Sequence, residues 1–143
     1  MSDSFRIFDI AGSAMAAQSA RLNTVASNLA NAESINSDPA KVYKPLLPVF
    51  QAVQMGAPGE FGAAGETTVG VQVSSIVQSQ TPPERRYEPG HPLADADGYV
   101  YAPAVNPVEE MVNMISAARS YQSSVEVLNT SKDLMMRTLN LGK

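Results

Sequence analysis

The chain has 143 residues, which makes one domain with a core of ordinary size the first expectation. It has no cysteine and one histidine, so disulfide bonds, thiolate metal sites and histidine-rich zinc sites are excluded. Fourteen acidic and ten basic residues give a net charge of −4, which argues against a protein that grips nucleic-acid phosphates.

The residues that break helices are concentrated in the middle of the chain. All ten prolines lie between Pro39 and Pro107, and seven of the nine glycines lie between Gly56 and Gly98. This distribution predicts an α+β protein with long helices at both ends. We expect a helical domain made of residues 1–36 and 106–143, and a small β-rich insert over residues 37–105.

The N-terminal segment carries apolar residues in alternating steps of three and four, which predicts a helix from about Phe5 to Ala32. Gln18 is the polar exception in this row, and Asn28 and Asn31 near its end are candidates for register or capping groups. The segment lacks the charge and the strongly apolar run of a cleaved secretory signal. We refer to the following residues as the N-terminal seam: Phe8, Ala11, Met15, Leu22, Val25 and Leu29.

The C-terminal helix has a clear start signal. Asn106 is a suitable N-cap, Pro107 follows at the first helical position, and Glu109 stands at the third. The same steps of three and four run from Met114 to Leu139, with Lys132 as the polar exception, and the helix is predicted to continue for about 35 residues. We refer to the following residues as the C-terminal seam: Met114, Ala118, Tyr121, Val125, Leu128, Met135 and Leu139.

Two interpretations of these seams are open. Apolar rows at the two ends of a small protein are typical of an antiparallel helix pair in one core. However, helices of roughly 40 and 50 Å exceed the size of a compact domain whose radius of gyration is about 14–15 Å. Small residues (Ala, Ser, Gly and Asn) make up much of the rest of the N-terminal helix, so a lone pair would bury little apolar area. Length and composition therefore favour helices that are completed by other subunits.

The middle of the chain reads as short strands and loops. Residues 46–54 and 70–78 are β-branched or apolar runs with partial alternation, and residues 85–87 and 98–102 are shorter candidates. Prolines around these runs favour edge strands over a closed barrel. Glycine at every third position from Gly56 to Gly65 indicates a loop, because a collagen helix needs many more triplets.

No motif in the sequence requires a catalytic interpretation. The Asp95–Gly98 segment resembles the start of a calcium loop, but the later ligand positions of such a loop do not match. His91 lies in a proline-flanked loop without an identifiable partner, so an enzyme that uses it is a weak alternative. A second alternative is a peptide- or glycan-binding module in which Tyr99 and Tyr101 form an aromatic platform.

Several long strings resemble the rod and hook proteins of the bacterial flagellum, and most closely the proximal rod proteins. They cover both ends and about two-thirds of the chain, namely residues 8–19, 21–23, 26–32, 87–100, 110–113, 118–122, 127–130 and 139–142. The resemblance implies a structural subunit and no enzyme, with no cofactor, metal, nucleic acid or small-molecule substrate. It also implies that the terminal helices order and pair as a coiled coil during assembly.

The same resemblance implies the surroundings of the protein. The expected partners are further copies in a helical assembly, other proximal and distal rod proteins, and the inner-membrane ring and export-gate complex. The expected location is the rod of the flagellar basal body, which spans the periplasm as a drive shaft and export channel. Export is expected through the flagellar type III apparatus without a cleaved signal. The residues of both seams are expected to make the contacts through which the protein assembles.

Overall fold

The computed structural model describes residues 2–55 and 68–141. Two long helices flank a β region: α1 (Ser2–Ala30), β1 (Leu46–Met55), β2 (Thr68–Gln78), β3 (Glu84–Tyr87), β4 (Tyr99–Ala102) and α2 (Pro107–Leu141). The prediction of long terminal helices around a small β region is confirmed. Helix α1 begins three residues earlier and ends two residues earlier than predicted, and the Gly56–Gly65 loop lies outside the described residues.

Local hydrogen bonds determine where both helices meet the β region. The Asn106 side chain accepts hydrogen bonds from the backbone N–H groups of Val108 (3.0 Å) and Glu109 (3.4 Å), which is N-cap geometry at the start of α2. At the end of α1, Asn31 Nδ2 donates to the backbone carbonyl of Ser27 at 2.8 Å. The Asn31 carbonyl in turn accepts a hydrogen bond from Ser34 Oγ at 2.8 Å. The Asn106 contacts satisfy N–H groups that a helix start leaves open, whereas the Asn31 and Ser34 side chains add second hydrogen bonds to carbonyls that backbone N–H groups already engage.

The four strands form two separate pairs. Strand β1 hydrogen-bonds to β2, and β3 pairs antiparallel with β4 over four residues. An isolated bridge continues the second pair, because Asn36 and Tyr101 exchange two backbone hydrogen bonds of 3.0 Å. The segment that leaves α1 is thereby attached to β4.

The chain divides into two compact units, and each takes segments from distant parts of the sequence. Unit 1 consists of Met1–Ala20, Val49–Ser75 and Ser116–Lys143, and unit 2 consists of Arg21–Pro48 and Ile76–Ile115. Each unit therefore contains a part of α1, a part of α2 and a part of the region between them.

Within the described part of unit 1, the buried apolar side chains are those of alanines, at Ala11, Ala17 and Ala117. Small side chains let backbones approach closely but bury little area each. The backbone at Gly70 is also closely packed against its neighbours, since an added Cβ would lie 2.5 Å from the Met55 sulfur and 2.9 Å from Ser13 Oγ. Ser13 Oγ also accepts a hydrogen bond from the Val71 N–H at 3.2 Å, which fixes β2 beside α1.

Unit 2 has larger buried side chains. Its described core contains Val25 of α1, Ala32 in the turn after α1, and Val42. From the other end of the insert it contains Val100 and Ala102 of β4 and Pro103, which follows β4. Val100 is fully buried, as expected for the inward face of a strand whose neighbours Tyr99 and Tyr101 are half-buried.

Candidate functional site

The N-terminal seam lies on a face of α1 that the chain itself largely covers. Ala11 and Val25 are buried, and the other four members are half-buried. The polar exception in the row, Gln18, has a side-chain carbonyl oxygen that is buried and accepts no hydrogen bond from any residue between 2–55 or 68–141. Such an atom is costly, at about 1–3 kcal/mol, because it has lost its contact with water.

The C-terminal seam follows the same rule with one exception. Its first six members, from Met114 to Met135, are half-buried, whereas Leu139 is 64% exposed. The seams therefore mark the covered faces of both helices in the folded chain, and Leu139 is the seam residue that stays open.

A second set of apolar side chains, which the seam pattern did not include, is exposed on the helices. On α2 this set comprises Val108, Met111, Val112, Ile115, Val127, Leu134, Met136 and Leu141, and on α1 it comprises Ile7 and Ile10. This second row could have been recognised in the sequence by its spacing, because Val108, Val112 and Ile115 repeat in steps of four and three beside the seam. Exposed apolar rows of this kind are typical of interaction surfaces.

Within unit 1, an apolar groove of about 340 Å³ separates α1 from α2. Ile7, Ile10, Ala11 and Ala14 line it from α1, and Ser123, Ser124 and Val127 line it from α2. Three members of the exposed set therefore line this groove: Ile7 and Ile10 from α1, and Val127 from α2.

The most highly connected polar side chain that the structure describes is Asn28 in unit 2, which is 2% exposed. Its Nδ2 donates to the Leu46 carbonyl (2.9 Å) and to Glu110 Oε2 (3.1 Å). Its Oδ1 accepts from the Leu46 N–H (2.8 Å) and from Tyr43 Oη (2.9 Å). We call these four residues, Asn28, Tyr43, Leu46 and Glu110, the Asn28 junction. The sequence marked Asn28 as a register or capping group, but gave no sign of its partners.

Further hydrogen bonds surround the Asn28 junction. Tyr43 Oη lies 3.1 Å from Ser27 Oγ, and since the Tyr43 proton is directed to Asn28, Ser27 is the donor of this bond. On the other side, Asn113 Nδ2 donates to Glu110 Oε1 at 3.4 Å, and Arg21 donates to Asn113 Oδ1 at 3.2 Å. The end of α1, the start of α2 and the start of β1 are therefore connected by one polar network.

The aromatic side chains of the β3–β4 pair are engaged with neighbouring residues. The Arg85 guanidinium lies 3.5 Å from the centre of the Tyr99 ring, and the centres of the Tyr87 and Tyr99 rings are 5.0 Å apart. Tyr101 Oη donates to Asp95 at 3.4 Å. One face of Tyr99 and the hydroxyl of Tyr101 are thus already in contact, which leaves little of the aromatic platform that the sequence suggested.

His91 serves the loop in which it lies, because its Nδ1 accepts a hydrogen bond from the Leu93 N–H at 3.1 Å. Across residues 2–55 and 68–141, no three acidic or histidine side chains are grouped closely enough to hold a metal ion. Neither described helix combines the length and the hydropathy that crossing a membrane requires.

Comparison with known proteins defines the class first. Residues 8–33 match the family described as flagella basal body rod protein, and residues 96–141 match the C-terminal family of flagellar basal body rod FlgEFG proteins. The matched segments contain most of α1, all of α2 and every residue of both seams.

Full-length relatives narrow the assignment. The chain is 53% identical over 137 residues to the flagellar basal-body rod protein FlgC of Salmonella typhimurium and of Escherichia coli O157:H7, with 96% of each chain covered. It is 41% identical to FlgC of Aquifex aeolicus, with both chains covered completely. The chain therefore belongs to the FlgC family of flagellar basal-body rod proteins. Its function is that of a structural subunit of the basal-body rod, and its relatives are named as rod proteins.

Proposed function

We propose that this rod subunit assembles helically with other copies and with other proximal and distal rod proteins. The assembly forms the drive shaft and export channel that spans the periplasm, next to the inner-membrane ring and export gate. The subunit reaches this place through the flagellar type III apparatus without a cleaved signal. No catalytic role is proposed for it, and no cofactor.

The observation that carries the proposal is the exposed apolar set on α2, together with the exposed seam residue Leu139. Val108 and Val112 are 70% and 62% exposed, and Leu139 is 64% exposed. Covering a side chain of this size is worth about 1.5–3 kcal/mol. A helix that keeps such residues in water gains stability when a neighbouring subunit packs against it, and repeated head-to-tail contacts of this kind build a tube or filament.

We further propose that the two helices form an antiparallel coiled-coil-like pair, with residues 1–36 and 106–143 as the rod-core domain and residues 37–105 as the insert. Contacts inside unit 2 support this orientation, because Arg21 bonds Asn113 whereas the later residue Asn28 bonds the earlier residue Glu110. The two seams would then carry the pairing, with Gln18 and Lys132 as their polar positions.

Substituting exposed apolar residues of α2 tests the assembly surface. Val112→Asp and Leu139→Asp are expected to abolish incorporation into rods, because each places a charge on a surface that a neighbour must cover. Both side chains are exposed in the chain itself, so its fold should be unchanged. The readout is the amount of subunit in purified basal bodies from cells that lack their own copy, together with swimming.

Asn129→Asp is the matched control, since it adds the same charge at an exposed polar position of α2. It is expected to incorporate normally. Normal incorporation of both the Val112 and Leu139 variants would contradict the proposal, provided that their unfolding curves match that of the unmodified chain.

A further inference from the structure

The seams leave a problem of alignment that the Asn28 junction is able to solve. Similar apolar side chains recur at heptad spacing, as Met15, Leu22 and Leu29 do, so such a seam distinguishes poorly between alignments of two helices that differ by one heptad. In coiled coils, a buried polar side chain often supplies the missing specificity, because only one alignment satisfies its hydrogen bonds. Asn28 is buried, and it lies beside the seam residue Leu29.

The chemistry of the junction allows only one orientation of the Asn28 amide. The Leu46 N–H can only donate and the Leu46 carbonyl can only accept, so Oδ1 must face the first and Nδ2 the second. The second Nδ2 hydrogen then points to Glu110, which as a carboxylate can only accept. The two lone pairs of Oδ1 are used by Leu46 and Tyr43. All four hydrogen-bonding positions of the amide are therefore filled.

The partners of Asn28 come from segments that are far apart in sequence. Leu46 follows it by 18 residues and Glu110 by 82 residues. A shift of α1 by one turn would leave the Leu46 backbone groups, the Tyr43 hydroxyl and Glu110 without Asn28 at the same time. Each buried polar group that loses its partner costs about 1–3 kcal/mol. Because these groups share one network, a shifted alignment would incur several of these costs together.

We propose that the Asn28 junction is a register lock, in which the donor and acceptor pattern of one amide sets the alignment of α1, α2 and β1. Asn28 is a positioning residue in this role. All contacts of the lock lie within unit 2 of one chain, so this inference goes beyond the proposed function and can fail or succeed independently of it.

The lock predicts a dependence on polarity that packing alone does not give. Asn28→Asp keeps the size of the side chain but replaces Nδ2 with an oxygen, which faces the acceptors Leu46 carbonyl and Glu110 Oε2. We expect the ratio of folded to unfolded chain to fall on the order of 100-fold. In the double variant Asn28→Asp with Glu110→Gln, the new amide at position 110 donates to the new carboxylate at position 28, and at least about tenfold of the loss is expected to return. Asn23→Asp, on the exposed face of the same helix, is the matched control and should change the ratio less than about threefold.

Hydrogen exchange of individual amides supplies a second readout, which also holds if Asn28→Asp does not fold. In Asn28→Ala, the Leu46 N–H loses its acceptor, so its exchange should accelerate at least about tenfold relative to that of the Tyr101 N–H. Tyr101 is a suitable reference, because its N–H donates to Asn36 at 3.0 Å in the same unit and outside the junction. Equal acceleration at both amides would overturn the lock. So would equal stabilities of Asn28→Asp with and without Glu110→Gln.

Discussion

At the residue scale, the Asp95–Gly98 turn shows what the calcium-like segment does in the fold. The Asp95 carboxylate accepts hydrogen bonds from the backbone N–H groups of Asp97 (3.0 Å) and Tyr99 (2.8 Å). Gly98 has a positive φ of 80°, a conformation that glycine adopts without steric cost. The acidic side chain therefore shapes the turn that leads into β4, and its oxygen is occupied by the chain's own backbone.

This geometry predicts that Gly98→Ala destabilises unit 2 by about 1–2 kcal/mol. An added Cβ would combine an unfavourable φ with distances of only 3.1 Å to Pro89 Cβ and Tyr87 Cε2. Gly90→Ala is the matched control, because no atom lies within 4 Å of the corresponding Cβ. Urea unfolding of the purified chain measures the difference, and coincident curves for the two variants would contradict the strain at Gly98.

The role of a polar side chain could be predicted from the sequence only where its hydrogen-bond partner lies a few residues away along the chain. The Asn106 side chain bonds residues two and three positions ahead, so the signal lies within a few letters of sequence. Asn28 was recognisable only as a polar residue near a helix end. Its partners lie 18 and 82 residues away, and nothing local to Asn28 indicates them.

At the element scale, periodicity predicted the existence of each helix and strand but not the exposure of each face. Steps of three and four identified the apolar rows of α1 and α2, and β-branched runs identified β1 and β2. The exposure of Val108 and Val112 depends on which neighbours the folded chain brings to α2, and a single row of sequence does not contain this information.

Strand β4 supplies the most deeply buried branched side chain of unit 2. Val100→Ala is expected to lower the free energy of unfolding by about 2 kcal/mol, because it removes two methyl groups from a fully buried position and leaves a cavity. Val77→Ala in β2 is the matched control, since Val77 is an exposed member of the same unit and should cost far less. Equal unfolding midpoints for the two variants would show that β4 does not anchor the core.

At the scale of the whole molecule, the two units differ in what holds them together. Unit 2 contains branched side chains and the Asn28 junction, whereas the buried apolar side chains of the described part of unit 1 are alanines. Ordering a residue costs about 1–2 kcal/mol in backbone entropy, and the burial of an alanine methyl offsets only part of that cost. The helices of unit 1 therefore have the weaker support within a single chain.

This difference predicts that the purified chain has less helix than the assembled subunit. Helices α1 and α2 together contain 64 residues. Circular dichroism of the dilute purified chain should correspond to clearly fewer, while the Tyr101 N–H in unit 2 remains protected from exchange. Trimethylamine oxide, which favours burial, should raise the helical signal and serves as the positive control. A dilute chain with the full helical signal would contradict coupling between assembly and helix formation.

The way unit 1 is put together also has a consequence for biosynthesis. Its first segment ends at Ala20, but its last segment begins only at Ser116. At about 5–20 residues per second, the ribosome needs roughly 5–19 s to add the 95 residues between them. During that interval the nascent N-terminus has no native helix to pack against. A newly made chain thus presents its first 20 residues without their α2 neighbours until the ribosome has passed Ser116, and this is the period available for a chaperone to bind them.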